Sequence, residues 1–298
     1  LLAGVYGGEA ARLSARAVLP RLVALEEKYG SLTRGVLRNR NAQPGHAAAG
    51  PIFTTLRGGM QQLVDTIAAR LGPEALRTEV AVQRISRRDT SWIVDTAQEA
   101  ASFDSVILAA PAFVAAKLLE ENSAELSALL KQILYSSSVT VALGYDAAQV
   151  AVRGCRLPEG FGYLVPRGEG KRMLACTFVH NKFTGRVPEG GLLLRAFLGG
   201  STDEAALEMS DEAVLRVVRQ ELSQVLGLNA EPLFALTSRW PRAMAQYEVG
   251  HLERVAEIER LQGALPGLHL IGNAYAGIGV PDCVRMGKQA ADAAAGQN

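Results

Sequence analysis

Apolar residues recur every three to four positions in some stretches of the chain and every second position in others, and this change of period lays out the elements. In GGMQQLVDTIAARL (58–71), Met60, Leu63, Val64, Ile67, Ala68 and Leu71 share one helical face, so the spacing predicts a helix that lays that face on a core. Gly72-Pro73 ends it. TEVAVQRI (78–85) and SWIVDT (91–96) alternate as an antiparallel pair does, while FDSVILAAP (103–111) is a continuous apolar run closed by Pro111, the pattern of a strand buried on both faces. A helical pattern over 112–133 then gives way to SSVTVALGY, GFGYLVP, RMLACTFVH and GLLLRAFLGG, successive strands with no long helix between them. Ser210 is the expected N-cap of DEAVLRVVRQELSQVLGL, with Asp211 and Glu212 at its positive end. PLFALTSRW reads as strand, HLERVAEIERL as helix and LHLIG as a buried strand before a last helix. Pro20 is expected to bend the helix RLSARAVLPRLVALEEKYG.

This order predicts an α/β and α+β chain of two interleaved parts. A mixed segment, 51–111, and a C-terminal segment, 240–298, bracket a sheet-rich insertion, 112–239, and the helical residues 1–50 are grouped with that insertion.

Composition narrows the class. With 298 residues, 48% hydrophobic and 20% charged, the chain can bury a sizeable core. Its 31 Lys and Arg against 30 Asp and Glu leave no surplus to mark a nucleic-acid surface, so no nucleic-acid partner is expected. Cys155, Cys176 and Cys283 are odd in number and widely spaced, which fits neither a disulfide framework nor a zinc knuckle and points to a reducing compartment. The start, LLAGVYGGEAARLSARAV, lacks the charged region of a signal peptide and has no Met, so the chain is expected to begin mid-protein or after processing. His46, His180, His251 and His269 lack metal-ligand spacing and read as surface or packing residues. No catalytic side chain and no metal ligand is expected.

The strongest local signal is the last strand–turn–helix, LHLIGNAYAGIG followed by VPDCVRMGKQAADAAAGQN. Gly277-Ile278-Gly279-Val280-Pro281-Asp282 approaches GxGxxG, but Asp282 stands in the third glycine's place and too little chain follows for a second strand. The turn can still aim backbone N–H groups, from its glycines and from a helix start near Pro281, at an electron-rich ligand.

LHLIGNAYAGIGVPDCVRMGKQAA (268–291) resembles the C-terminal flavin segment of the protoporphyrinogen oxidases, in the amine-oxidase-like FAD flavoprotein family. Further matches follow in that family's order: GVYGGEAARLSARAVLPRLVALEEKYGSLTRG (4–35), FTTLRGGMQQLVDTIAARL (53–71), DSVILAAPA (104–112), GFGYLVPRGEG (160–170) and RWPRAMAQYEVGHLERV (239–255). Two departures are Ala245, where the family's MPQY motif has proline, and the looser MLACTFVHNKF.

The resemblance implies part of an FAD-binding Rossmann-like domain interleaved with an antiparallel-sheet substrate domain. It implies that Asn273, Ile278, Gly279 and Val280 lie against the flavin, whose other contact precedes Leu1, and that the chain by itself holds FAD weakly or not at all. It also implies an adenine contact from Val82, with Val80 as the register alternative. Phe161, Leu164, Thr177, Phe178 and Phe197 match positions that line the family's substrate cavity; as alternating apolar residues on strands they also read as plain core. The implied reaction takes protoporphyrinogen IX to protoporphyrin IX with molecular oxygen as final acceptor, in the cytoplasm with peripheral membrane contact. A homodimer would cover the edge strands around Val106 and Leu270. Coproporphyrinogen oxidation, a carotenoid-desaturase-like flavoenzyme and a non-catalytic porphyrin-binding module are the alternatives.

Overall fold

A computed structural model of the protein describes residues 6–42 and 54–296. His46, and the parts of the motifs at 4–35 and 53–71 that fall before residue 6 and on residue 53, lie outside the described residues. The chain divides into two compact units: among the described residues one takes 12–42, 68–135 and 244–296, and the other takes 6–11, 54–67 and 136–243.

The first is an α/β unit. Strands β1 (Val82–Arg88), β2 (Ser91–Thr96) and β3 (Ala100–Phe103) form an antiparallel meander, and β4 (Val106–Leu108) pairs in parallel with the late strand β10 (Leu268–Leu270). The alternation in 78–96 thus forms the hairpin it predicts, and β3 extends it beyond what the alternation showed. The core gathers Ile85, Trp92, Leu119, Leu126, Leu130, Ile133, Tyr247 and Ile258. Trp92 donates its Nε1–H to the Pro266 carbonyl at 2.9 Å, which ties the hairpin to the loop before β10.

Several expectations change here. The helical pattern over 112–133 becomes two helices, Ala112–Leu118 and Ala124–Lys131, because Ser123 caps the second by accepting the Leu126 N–H at 3.1 Å. Their apolar faces fill this core, so the sheet-rich insertion begins at Ser136 rather than at 112. Residues 12–42 also belong here, with Ala17 and Val18 against the same core. Pro20 breaks its helix instead of bending it: Leu19 leaves helical geometry, and Pro20 opens a new helix, Pro20–Tyr29, where a missing N–H costs nothing. Ile107 is exposed, so β4 is not buried on both faces.

The second unit is a five-stranded sheet in the order β6-β7-β8-β5-β9: β5 is Tyr135–Asp146, β6 Gly162–Leu164, β7 Met173–Phe178, β8 Gly191–Gly199 and β9 Phe234–Ala245. β5 and β8 pair antiparallel without a break from Ser138↔Gly199 to Asp146↔Gly191. Alternate residues on one face, Val139, Val141, Leu143, Cys176, Leu194 and Ala196 among them, are buried against Val214, Val218 and Leu222 of the helix Asp211–Leu226. Ser210 caps that helix as predicted, accepting the Ala213 N–H at 3.2 Å. Glu221 fixes it to the sheet, its two carboxylate oxygens accepting the N–H groups of Arg172 and Met173 at 2.8 and 2.9 Å.

The helix predicted over 58–71 forms as Gln61–Leu71, but Met60, Val64, Ile67 and Leu71 are 47–57% exposed, so its apolar face does not lie on a core among the described residues. None of the described helices is long and apolar enough to cross a membrane.

Candidate functional site

In the α/β unit, β10 ends at Leu270 and the chain turns through Gly272 and Gly277, at φ 124° and 113°, before the helix Val280–Ala295 begins. Gly277 is required for two reasons. Its φ is unfavourable for any residue with a side chain, and a Cβ there would collide with the carboxyl group of Asp282. Gly279 is the helix N-cap and Pro281 falls in the first turn, as its missing N–H allows. Among the described residues no hydrogen bond engages the N–H groups of Ile278, Gly279 or Val280, whereas those of Asp282 and Cys283 close on the Gly279 carbonyl at 3.0 and 3.1 Å. Three free donors therefore sit at the positive end of a sixteen-residue helix.

The turn is held from behind. The Tyr247 hydroxyl donates to the Asn273 carbonyl and accepts the Gly277 N–H, both at 2.9 Å, so one oxygen bridges the two ends of the loop. His251, four residues further on, opens the helix His251–Gly263; fully buried, it donates Nε2–H to the Tyr275 carbonyl at 3.1 Å. Burial pushes the His251 imidazole below its ordinary value, and the neutral ring must carry its proton on Nε2 because its partner is a carbonyl. Nδ1 is then a buried lone pair with no partner among the described residues. Arg285 takes the next carbonyl, Ala276, at 3.1 Å and pairs with Asp282 at 3.0 Å. His251 is thus the packing histidine that the sequence suggested, and Tyr247, which the sequence analysis did not single out, joins it in holding the turn.

Val82 opens β1, the edge strand of the meander, where a register shift separates it from Arg84; Val80 precedes the strand. The turn residues Asn273, Ile278, Gly279 and Val280 therefore form one local cluster, and Val82 stands on a separate strand of the same unit.

The sheet unit offers a second surface. Opposite the face that meets the helix, cross-strand partners line up as Leu164, Ala175, Phe197 and Thr140, and beside them as Gly162, Thr177, Arg195 and Ala142. Of the residues carried over to the substrate cavity, Leu164, Thr177 and Phe197 share this open face. Phe161 precedes β6, half exposed between Gly160 and Gly162, both at positive φ. Phe178 points the other way: it is 1% exposed, within the core beneath the sheet, with its ring edge-on to Tyr163. Strand alternation explains this, since Thr177 and Phe178 are neighbours and cannot share a face.

β9 adds aromatics that the sequence analysis did not single out. The Trp240 Nε1–H donates to Thr140 Oγ1 at 3.1 Å, which sets the indole on the open face. The Phe234 ring lies over Gly144 so closely that no Cβ fits there, so glycine at 144 is what lets the ring down onto the strand. Phe197, Phe234 and Trp240 leave this face apolar and aromatic, the character of a surface that takes a broad flat ligand.

Residues 1–295 match the family of flavin containing amine oxidoreductases, and the chain belongs to that family of flavin-dependent oxidoreductases. Within it the chain is similar to porphyrinogen oxidases. It is 32% identical over 295 residues to coproporphyrinogen III oxidase of Bacillus subtilis, covering 97% of this chain and 62% of that one. It is 26% identical over 304 residues to the chloroplastic protoporphyrinogen oxidase of Oryza sativa, covering 94% and 56%. The crystal structure of a protein assigned as a protoporphyrinogen oxidase, from Exiguobacterium sp. 255-15, superposes with a TM-score of 0.82 at 30% identity, over 98% of this chain and 61% of that one. The chain thus spans about three fifths of the length of these relatives.

The turn suits the family's flavin. The unbonded N–H groups of Ile278, Gly279 and Val280, at a helix's positive end, match an aromatic ring edge that carries carbonyl oxygens.

Proposed function

We propose that the protein oxidises a porphyrinogen with FAD as cofactor, coproporphyrinogen III before protoporphyrinogen IX. The order follows the identities, which run from 26% to 34% for the coproporphyrinogen III oxidases, most of them at 32–34%, against 26–28% for the plant protoporphyrinogen oxidases. The observation that carries the proposal is the open face of the five-stranded sheet, apolar and aromatic across adjacent strands.

When bound, FAD supplies the two-electron acceptor for hydrogens removed from the macrocycle, and molecular oxygen restores it with release of hydrogen peroxide. The chain's own residues bind and orient. Ile278, Gly279 and Val280 direct N–H dipoles toward the ring edge where negative charge accumulates, and dipoles already in place need no reorganisation when it does. Tyr247 and His251 keep those donors aimed by holding the loop between Asn273 and Gly277. Leu164, Phe197 and Trp240 exclude water from the macrocycle. The same proposal places the protein in the cytoplasm with peripheral membrane contact, to be checked by cell fractionation.

The test is oxidation of coproporphyrinogen III by the FAD-supplemented protein, followed by porphyrin fluorescence and peroxide release. Three peroxides per porphyrin are expected. A flavin-loaded protein that forms no porphyrin above the non-enzymic rate would overturn the proposal.

A further inference from the structure

The strands β5 to β8 contain one cation, Arg195, and one acid, Asp146. Asp146 is occupied: its carboxylate caps the helix Ala147–Val152 by accepting the N–H groups of Ala148 and Gln149 at 2.8 and 3.2 Å. Arg195 lies near the middle of β8, the central strand of the sheet, and points to the open face. Its cross-strand partners are Ala142 and Thr177, and its same-face neighbours along the strand are Leu193 and Phe197. Among the described residues its guanidinium has no ion pair and no side-chain hydrogen bond, although other arginines of the unit, such as Arg172 and Arg239, are bonded to Asp203 and Asp211.

A charge at the edge of a sheet can stay in water whatever binds. A charge in the centre of an apolar face cannot: a flat ligand that covers Phe197 and Trp240 also removes water from Arg195, and an unpaired guanidinium would then oppose binding. The ligand must bring an anion, and the planar fork of arginine fits a carboxylate with two parallel hydrogen bonds. Resting on the reading above that this face takes a porphyrinogen, we propose that Arg195 binds a carboxylate side arm of the macrocycle and sets which carboxylated tetrapyrroles the protein accepts.

The experiment crosses charge on the protein with charge on the ligand. Coproporphyrin III and its uncharged tetraamide are titrated by fluorescence quenching into the wild-type chain, Arg195→Gln and Arg195→Lys, with thermal unfolding as a check on the fold. Arg195→Gln should weaken the carboxylate ligand about tenfold or more and leave the tetraamide within about twofold, since a charge-assisted hydrogen bond is at stake and packing is not. Arg195→Lys should recover part of the loss. In the flavin-loaded protein the same Arg195→Gln change should raise KM for coproporphyrinogen III about as much, with kcat nearly unchanged. Equal effects on both ligands, or none on either, would overturn the role of Arg195 while leaving porphyrin binding in place. A wild-type chain that binds neither ligand would overturn the porphyrin reading itself, and the role of Arg195 with it.

Discussion

Tyr247 lies flat on His251, ring centroids 3.9 Å apart and planes 13° from parallel, and both rings end in hydrogen bonds to the glycine turn at 273–277. The stack is fixed at its other side as well: the Ser14 N–H donates to the Tyr247 carbonyl at 2.8 Å, and Arg12 pairs with Glu248 at 2.9 Å. Removing the hydroxyl in Tyr247→Phe keeps the stack but leaves the buried loop short of one donor and one acceptor. A loss of about 1–3 kcal/mol in unfolding free energy is expected, together with weaker FAD binding in equilibrium dialysis. Unchanged affinity in a destabilised variant would confine the hydroxyl to folding.

His251 predicts a pH dependence with a definite sign. Burial, aided by the Arg254 charge, holds its folded-state value below the ordinary 6.5, against a smaller opposing pull from the Tyr275 carbonyl. As pH falls below about 6.5 the unfolded chain takes up the proton first, so stability is full above that pH and declines below it until the folded ring also protonates. Urea titrations at pH 7.5 and 5.5 should show a larger decline for wild type than for His251→Gln. Equal declines would mean that other groups carry the dependence.

Gly144 predicts a steric effect. In Gly144→Ala the Phe234 ring must leave its place over the strand. Overpacking of this kind costs about 1–3 kcal/mol, read as a lower Tm, and binding of flat aromatic ligands to the face should change because the ring that borders it has moved. Gly162→Ala is harsher, since its φ of 135° is closed to side chains and its Cβ would strike the Cys176 carbonyl.

The cysteines predict a labelling pattern. Burial raises the Cys155 thiol and pushes Cys176 up to about 12, so both stay protonated and covered at neutral pH, while Cys283 is half-buried. A thiol reagent should modify at most one cysteine in the native protein and all three in denaturant. Labelling of Cys176 in the native protein would show that the sheet core opens.

Legibility followed the range of the interactions. Period-two alternation in SSVTVALGY and GLLLRAFLGG and the Ser210 cap are local, and each formed as read. Phe178 was misplaced because a likeness by segment carries no parity, and one residue of register reverses the face. The boundary at Ser136 was missed because the helices of 112–131 look alike in sequence wherever they pack; only their contacts with Trp92 and Ile85 assign them. The hold of Tyr247 and His251 on the turn was not legible because their partners are backbone carbonyl and N–H groups of a loop 24–30 residues away, and backbone atoms leave no trace in side-chain pattern.

The five-stranded sheet divides its residues by parity: one set meets the helix Asp211–Leu226, and the other faces away from it. Apart from glycines such as Gly144 and Gly162, whose neighbours leave no room for a Cβ, residues of the second set can be replaced without entering the core beneath, so selection can act on the surface and on folding almost independently, in the same strands.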